Sequence, residues 1–253
     1  MKKGKLQTKT AVITGGNSGI GFATAKELIA QGAKVIITGR KQNLVDSAAK
    51  EIGATGIVSD QSNLKDIDTL VAETKSQFGN VDILFINAGI AAFAPLGSIE
   101  EEQFDSNIGI NFKGALFTLQ KFLPLLKEGS SVIFLSSANA YSAMPNRAVY
   151  TASKAALNSL MRTAAYELSS KGIRVNAVCP GPVNTALFGK VGLPEEALQK
   201  LAGAMQQRVP LKKFSTPEDI AKLVAFSSSD DASLITGSEY VIDGGLSLNS
   251  VVG

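Results

Sequence analysis

The sequence predicts a single-domain α/β fold, a doubly wound parallel sheet of about seven strands with helices on both faces. Three observations carry that expectation. Short apolar runs alternate with helical patterns along the whole chain. The first apolar run passes straight into a glycine-rich turn and then a helix. Each group able to meet a ligand stands just after a strand, where ligands of such sheets bind. At 253 residues the chain suits one domain of this kind, which can bury a large core.

Thr10-Ala11-Val12-Ile13-Thr14 reads as the first strand and leads into Gly15-Gly16-Asn17-Ser18-Gly19-Ile20-Gly21. Glycines there let a backbone approach a pyrophosphate, whose charge is met by the free N–H groups of the following helix. The spacing, Gly15-x-x-x-Gly19-x-Gly21, departs from Gly-x-Gly-x-x-Gly, and a glycine-rich turn is also compatible with a plain turn. A helix over 23–31 ends at Gly32, and Lys34-Val35-Ile36-Ile37-Thr38 follows as a buried parallel strand, then Gly39 and Arg40. A helix over 43–51 and a short strand over 56–59 come next, with Asp60 at the strand's carboxyl end. Helix 64–78 has apolar residues at Leu64, Ile67, Leu70, Val71 and Phe78, and strand 82–86 closes on Asn87-Ala88-Gly89. That tripeptide is either a turn of turn-formers or part of a ligand cleft.

From about 100 to 126 the apolar spacing predicts one long helical stretch, with Asn111 in its middle. Asparagine is a poor residue for a helix interior, so it either faces solvent or holds a buried polar role. Strand 131–136 delivers Ser137 to its carboxyl end, thirteen residues before Tyr150. The run from Tyr150 to about Gly172 reads as a helix, on which Lys154 shares a face with Tyr150 at i,i+4. A free tyrosine has a pKa of about 10. An ammonium about 5 Å away, at an effective dielectric of about 20, would favour the phenolate by about 3 kcal/mol, enough to lower that pKa by about two units. Such a phenol suits a general acid. A strand over 173–178 follows, at whose end Cys179 reads as a small buried thiol.

Pro180-Gly181-Pro182-Val183-Asn184-Thr185 opens an irregular region over about 184–214, with a short helix near 195–206. Loops this long in compact domains are usually functional lids or disordered segments. Leu187, Phe188, Val191, Leu193, Leu201 and Met205 suggest a lid over an apolar substrate. A last helix is capped at Ser215-Thr216-Pro217-Glu218-Asp219, and the strand ending at Asp243-Gly244-Gly245 closes the pattern.

Composition narrows the chemistry. The formal charge of +3 is spread out and tryptophan is lacking, which argues against a nucleic-acid surface. No stretch approaches a membrane span or signal peptide, so a cytoplasmic protein is the expectation. With no histidine and one cysteine, Ser-His-Asp and Cys-His catalysis, disulfides and the usual zinc sites are removed, and no metal is expected. Acid–base work falls to Tyr, Lys, Asp or Glu.

In this order, Thr14-Gly15-x-x-x-Gly19-Ile20-Gly21, Asp60, Asn87-Ala88-Gly89, Asn111, Ser137, Tyr150-x-x-x-Lys154, Pro180-Gly181-x-x-x-Thr185 and Asp243-Gly244-Gly245 resemble the short-chain dehydrogenase/reductase family over essentially the whole chain. The resemblance implies a Rossmann-type fold and hydride transfer between NAD(P)H and a carbonyl. Tyr150 would exchange the proton with the substrate oxygen, and Ser137 would hydrogen-bond that oxygen. Lys154 would lower the tyrosine pKa and hold the nicotinamide ribose, while Asn111 would anchor a proton-relaying water. The cofactor would lie along Gly15, Asn17, Ser18, Gly19, Ile20, Gly21 and Arg40, with Asp60 at the adenine. Asn87, Ala88 and Gly89 would line the cleft, and Pro180, Gly181, Val183 and Thr185 would meet the nicotinamide end. Ser136 is the nearest rival to Ser137, but the thirteen-residue spacing favours Ser137. The resemblance also implies a homotetramer built through about 100–126, 149–170 and 238–242.

The leading expectation is a carbonyl reductase or alcohol dehydrogenase on small or medium apolar ketones, with Leu187, Phe188 and Met205 contacting substrate. A 3-oxoacyl-[acyl-carrier-protein] reductase is the alternative within the class, and a non-catalytic nucleotide-sensing protein the alternative outside it. Gly39 stands where the family's NAD-dependent members carry Asp. Arg40 can meet a 2′-phosphate, stack on adenine or decorate the loop, so dual use of NADH and NADPH is expected.

Overall fold

The computed structural model describes residues 4–184 and 195–248. Its centre is one parallel sheet of seven strands in the order β3-β2-β1-β4-β5-β6-β7: β1 (Thr10–Ile13), β2 (Lys34–Gly39), β3 (Thr55–Val58), β4 (Val81–Ile86), β5 (Leu126–Leu135), β6 (Arg174–Pro180) and β7 (Glu239–Ile242). The expected Rossmann-type architecture is present. Strand order reverses between β1 and β4, which opens a crevice at their carboxyl ends.

Both faces of the sheet are covered, so neighbouring strand residues are buried in opposite directions. Val12, Leu84, Val132 and Phe134 point to one layer, where they meet Phe122, Leu157 and Met161. Ala11, Ile13, Ile37, Ile83 and Phe85 point to the other, against Leu28, Ile220 and Val224. The first layer comprises α3 (Leu64–Phe78), α5 (Ala115–Phe122) and α6 (Ala148–Ser169); the second holds α1 (Gly19–Ala30), α2 (Gln42–Ile52) and α8 (Pro217–Ser228). The helix boundaries have local causes. Asn63 caps α3 by accepting from the Lys65 N–H, α2 ends at Gly53 with φ 72°, and Thr216 with Asp219 forms a capping box on α8 behind Pro217. The remaining helices are α4 (Glu101–Ile108) and α7 (Glu195–Arg208).

Three elements depart from the sequence expectation. The first helix begins at Gly19 rather than residue 23, because the glycine turn closes directly onto it; a Cβ at Gly21 would sit 2.5 Å from the Gly15 carbonyl oxygen. The long helix over 100–126 is broken: α4 passes into a π-helical turn, Gly109–Gly114, before α5 resumes. Strand β5 starts at Leu126, pairs with Val81, and loops out before Ser131 pairs with Ile83. Ser130 holds that excursion by donating to the Val81 carbonyl at 2.8 Å. No helix among the described residues is long and apolar enough to cross a membrane.

Candidate active site

Carboxyl ends of β1, β4, β5 and β6 converge on one cleft. At its β1 end, Gly15 (φ 64°) and Gly19 (φ 54°) take left-handed conformations that let the turn fold back beneath α1. Ser18 precedes α1 in an extended conformation, makes no capping hydrogen bond, and no acidic residue stands in the first turn. Among the described residues, the positive end of α1 thus has neither a capping side chain nor an acidic residue in its first turn. Asn17 lies over Gly39: a Cβ there would meet Asn17 Oδ1 at 2.5 Å and Val45 Cγ2 at 2.9 Å. Arg40 is exposed directly after.

Asn87 ties the switch point together. Its Nδ2 donates to the carbonyls of Thr14 at 2.8 Å and Gly15 at 3.1 Å, while Thr14 Oγ1 accepts from the N–H groups of Asn87 and Ala88, both at 3.0 Å. Asp60 is engaged locally, its Oδ1 accepting from Ser62 N–H at 2.9 Å and Ser62 Oγ at 2.7 Å. The next residue carries the longer-range contact. Gln61 Nε2 donates to the carbonyls of Ala88 (2.9 Å) and Ile110 (3.1 Å), joining the Asn-Ala-Gly turn to the π-helical turn. Its Oε1 is buried and accepts nothing among the described residues.

Asn111 is buried, not solvent-facing. Its Oδ1 accepts from the Ile90 N–H at 2.8 Å, and its Nδ2 donates to the Ile90 carbonyl at 3.0 Å and to Ser153 Oγ at 3.1 Å. Ser153 in turn donates to the Tyr150 carbonyl at 2.7 Å. The π-helical turn is what aims this amide at β4's exit, a use to which such turns are often put.

Ser137, Tyr150 and Lys154 gather where β5 ends. Ser137 makes a side-chain hydrogen bond to Tyr150 and also accepts from the Asn139 N–H at 3.1 Å. Its rival Ser136 points elsewhere, donating to the Lys154 carbonyl at 3.3 Å and pinning α6 to the strand. Lys154 Nζ donates to the Leu135 carbonyl at 2.7 Å and lies 6.0 Å from the centre of the Tyr150 ring.

The electrostatics correct the expected tuning. Burial pushes the Tyr150 phenol above its ordinary range, and this outweighs the opposing hydrogen bond from Ser137 and charge of Arg147. Burial also pulls Lys154 down to about 8, so the lysine is itself drawn toward neutrality. The cation that bears on the phenol is Arg147, three residues before it. Phe93 completes the wall, its ring edge-on to Tyr150 with centroids 5.5 Å apart and planes at 86°.

Behind Lys154, Pro180 ends β6. Gly181 then donates its N–H to the Ile242 carbonyl at 3.0 Å, packed so close to Asp243 that a Cβ would lie 2.6 Å from Asp243 Cβ. Asp243 itself accepts from the N–H groups of Gly245 and Ser247 at 2.8 and 2.7 Å. Val183 bridges to Ser215. Thr185, Leu187 and Phe188 lie outside the described residues; Met205 is described and half-buried on α7. Gln61, Phe93 and Arg147 escaped the sequence reading. Arg147 had a usable signal in its i,i+3 spacing to Tyr150, whereas nothing local marks Phe93.

These residues fit a nicotinamide dinucleotide. The uncapped α1 terminus suits a pyrophosphate. Gly89 lies where a Cβ would meet Asn111 Oδ1 at 3.0 Å and Lys154 Nζ at 3.5 Å, a cradle that a larger side chain would fill. Among the described residues no cluster of His, Cys, Asp and Glu could hold a metal ion.

Residues 15–247 match the model of a family described as enoyl-(acyl carrier protein) reductase. The chain is 40% identical over 246 residues to oxidoreductase asL5 of Sarocladium schorii, covering 96% of this chain and 97% of that one. It is 38% identical over 258 residues to L-rhamnose 1-dehydrogenase (NAD(P)(+)) of Azotobacter vinelandii, covering 96% and 98%. A crystal structure of a dehydrogenase/reductase from Sinorhizobium meliloti 1021 superposes with a TM-score of 0.89 at 32% identity, covering 96% of this chain and 97% of that chain. With its seven-stranded sheet, the cleft at the β1/β4 switch point and these near-full-length similarities, the chain belongs to the short-chain dehydrogenase/reductase family.

Proposed function

We propose that the protein interconverts ketones and secondary alcohols with a nicotinamide cofactor, Tyr150 exchanging the proton at the substrate oxygen. The observation that carries this reading is the Tyr150 phenol beside Ser137 where β5 ends, with the Nζ of buried Lys154 6.0 Å from the centre of its ring. Members of this family use NAD(P)(H), and the bound cofactor would supply or accept the hydride.

Ser137 orients the phenol and offers a second hydrogen bond to the same substrate oxygen. The raised Tyr150 keeps its proton at neutrality, as a donor in the reducing direction must. Lys154, held by the Leu135 carbonyl, reaches the Gly89 cradle, from which its remaining donors address the ribose side of the cleft. Asn111 positions Tyr150 through Ser153. Gly15, Asn17, Ser18, Gly19, Ile20, Gly21 and Arg40 hold the phosphate and adenosine end, Asp60 the adenine, and Asn87 to Gly89 the middle. Pro180, Gly181, Val183 and Thr185 meet the nicotinamide end. Either cofactor serves, since Gly39 repels no 2′-phosphate and Arg40 is one exposed cation. A lid over substrate at about 184–214, with Leu187, Phe188 and Met205 as its substrate contacts, belongs to the same proposal, Leu187 and Phe188 lying outside the described residues.

A 3-oxoacyl reductase acting on a carrier protein is the second reading, favoured by 35% identity over 254 residues to a 3-oxoacyl-[acyl-carrier-protein] reductase of Thermotoga maritima. A homotetramer is part of the proposal, supported by exposed Phe104, Tyr166 and Val241 on the segments expected to pair. Light scattering tests the assembly. A panel of ketones, sugars, steroids and acyl thioesters, followed by cofactor absorbance with wild type and Tyr150→Phe, tests the activity. Retained turnover in the variant would overturn Tyr150 as proton donor.

A further inference from the structure

Arg147 immediately precedes α6, and its guanidinium carbon stands 4.8 Å from the centre of the Phe93 ring. Phe93 meets Tyr150 edge to face, so the three side chains form one contiguous group. The backbone locks their two segments together, Ala94 N–H donating to the Asn146 carbonyl at 3.0 Å.

What distinguishes Arg147 is unused bonding capacity. Arg174, also half-buried, spends its donors on the carbonyls of Ser227, Ser229 and Ile235, and Arg162 pairs with Glu239. Among the described residues Arg147 makes no ion pair and its side chain donates no hydrogen bond; its contacts are the Phe93 face and the electrostatic influence on Tyr150. A half-buried guanidinium offers five donors in a planar fork that matches a carboxylate bidentately. Leaving such a charge partly desolvated without an anion is unfavourable, and an anionic ligand relieves it.

We infer that Arg147 recognises the carboxylate of the substrate, and that the preferred substrates are short oxo acids and the matching hydroxy acids. This rests on the oxidoreductase reading above. Arg147 and Tyr150 flank the same Phe93 ring, the guanidinium carbon 4.8 Å and the phenol ring 5.5 Å from its centre. The anion must therefore sit within a few bonds of the carbon that reacts beside Tyr150, which suits a small acid better than a phosphate at the far end of a pantetheine arm. In reduction the carbonyl carbon gains a hydride from the nicotinamide cofactor, which becomes NAD(P)+. The former C=O π pair takes the Tyr150 proton as a new O–H bond, and the carboxylate keeps its charge.

The test compares kcat/KM for acetoacetate and levulinate with that for their methyl esters, in wild type, Arg147→Gln and Arg147→Lys. Wild type is expected to prefer acid over ester by about tenfold or more, the scale of one charge-assisted pair. Arg147→Gln should bring the ratio close to one, and Arg147→Lys should keep part of it. Any effect of Arg147 on the acidity of Tyr150 acts on acid and ester alike and divides out. Calorimetric titration with malonate gives a readout without turnover, with binding about tenfold weaker in Arg147→Gln. A wild-type ratio near one, an unchanged ratio in Arg147→Gln, or a preference for acetoacetyl-coenzyme A over acid and ester would overturn the inference. Failure to reduce any carbonyl compound, esters included, would count against the oxidoreductase reading, and the malonate titration would still decide the role of Arg147.

Discussion

Lys154 Nζ donates to the Leu135 carbonyl from inside the packed junction of α6 and β5, with only 4% of the residue exposed. A charge so placed weighs on stability. Its folded pKa of about 8 lies below its ordinary value of 10.5, so between these the unfolded chain binds more protons and stability rises with pH. Below about 8 the penalty is fully present, on the order of 3 kcal/mol. Lys154→Met is therefore expected to be more stable than wild type at pH 7, by about 1–3 kcal/mol after loss of the Leu135 bond. The difference should shrink as pH approaches 10.5. Urea midpoints at both ends of that range decide it; a constant difference would mean the ammonium is not desolvated.

Tyr150→Phe should lower turnover by about 10²–10⁴-fold, the range for loss of a positioned acid, while cofactor affinity by fluorescence titration stays within about threefold. Lys154→Met should weaken both.

Ser137→Ala removes a bond that holds the phenol down, so Tyr150 should rise further. The loss of reduction activity at alkaline pH should then move to higher pH, with kcat reduced. A profile unmoved by the substitution would separate Ser137 from the phenol.

Cofactor choice turns on two side chains after β1 and β2. Arg40→Ala should raise the KM for NADPH by about ten- to thirtyfold more than that for NADH, as expected for one exposed phosphate contact. Gly39→Asp alone should harm use of both cofactors, because its Cβ would strike Asn17 Oδ1 at 2.5 Å. Combined with Asn17→Gly, it should favour NADH. Steady-state kinetics with both cofactors would expose equal effects, which would clear Arg40 of reading the phosphate.

Asn111→Leu leaves the N–H and carbonyl of half-buried Ile90 without their side-chain partner. A loss of about 2–4 kcal/mol in unfolding free energy is expected from the two orphaned groups. Asn111→Asp keeps the acceptor for the N–H but sets a buried carboxylate against the Ile90 carbonyl, and should cost at least as much. Urea unfolding that left both variants as stable as wild type would show that the Ile90 bonds do not hold the turn.

Strand and helix order was legible in the chain because buried strands, amphipathic helices and glycine turns are local patterns, repeated here without interruption. The same locality made Tyr150, Lys154 and Ser137 readable, since strand ends and i,i+4 spacing place side chains before any long-range packing is known. Other features came only from tertiary contacts. The π-helical turn carries Asn111 to Ile90, twenty-one residues away, and Gln61 matters because Ala88 and Ile110 come to it. Phe93 reaches Tyr150 across fifty-seven residues of sequence. The direction of the Tyr150 shift was decided last of all: spacing counts the charges nearby, but the desolvation that outweighs them depends on how the whole fold closes around the phenol.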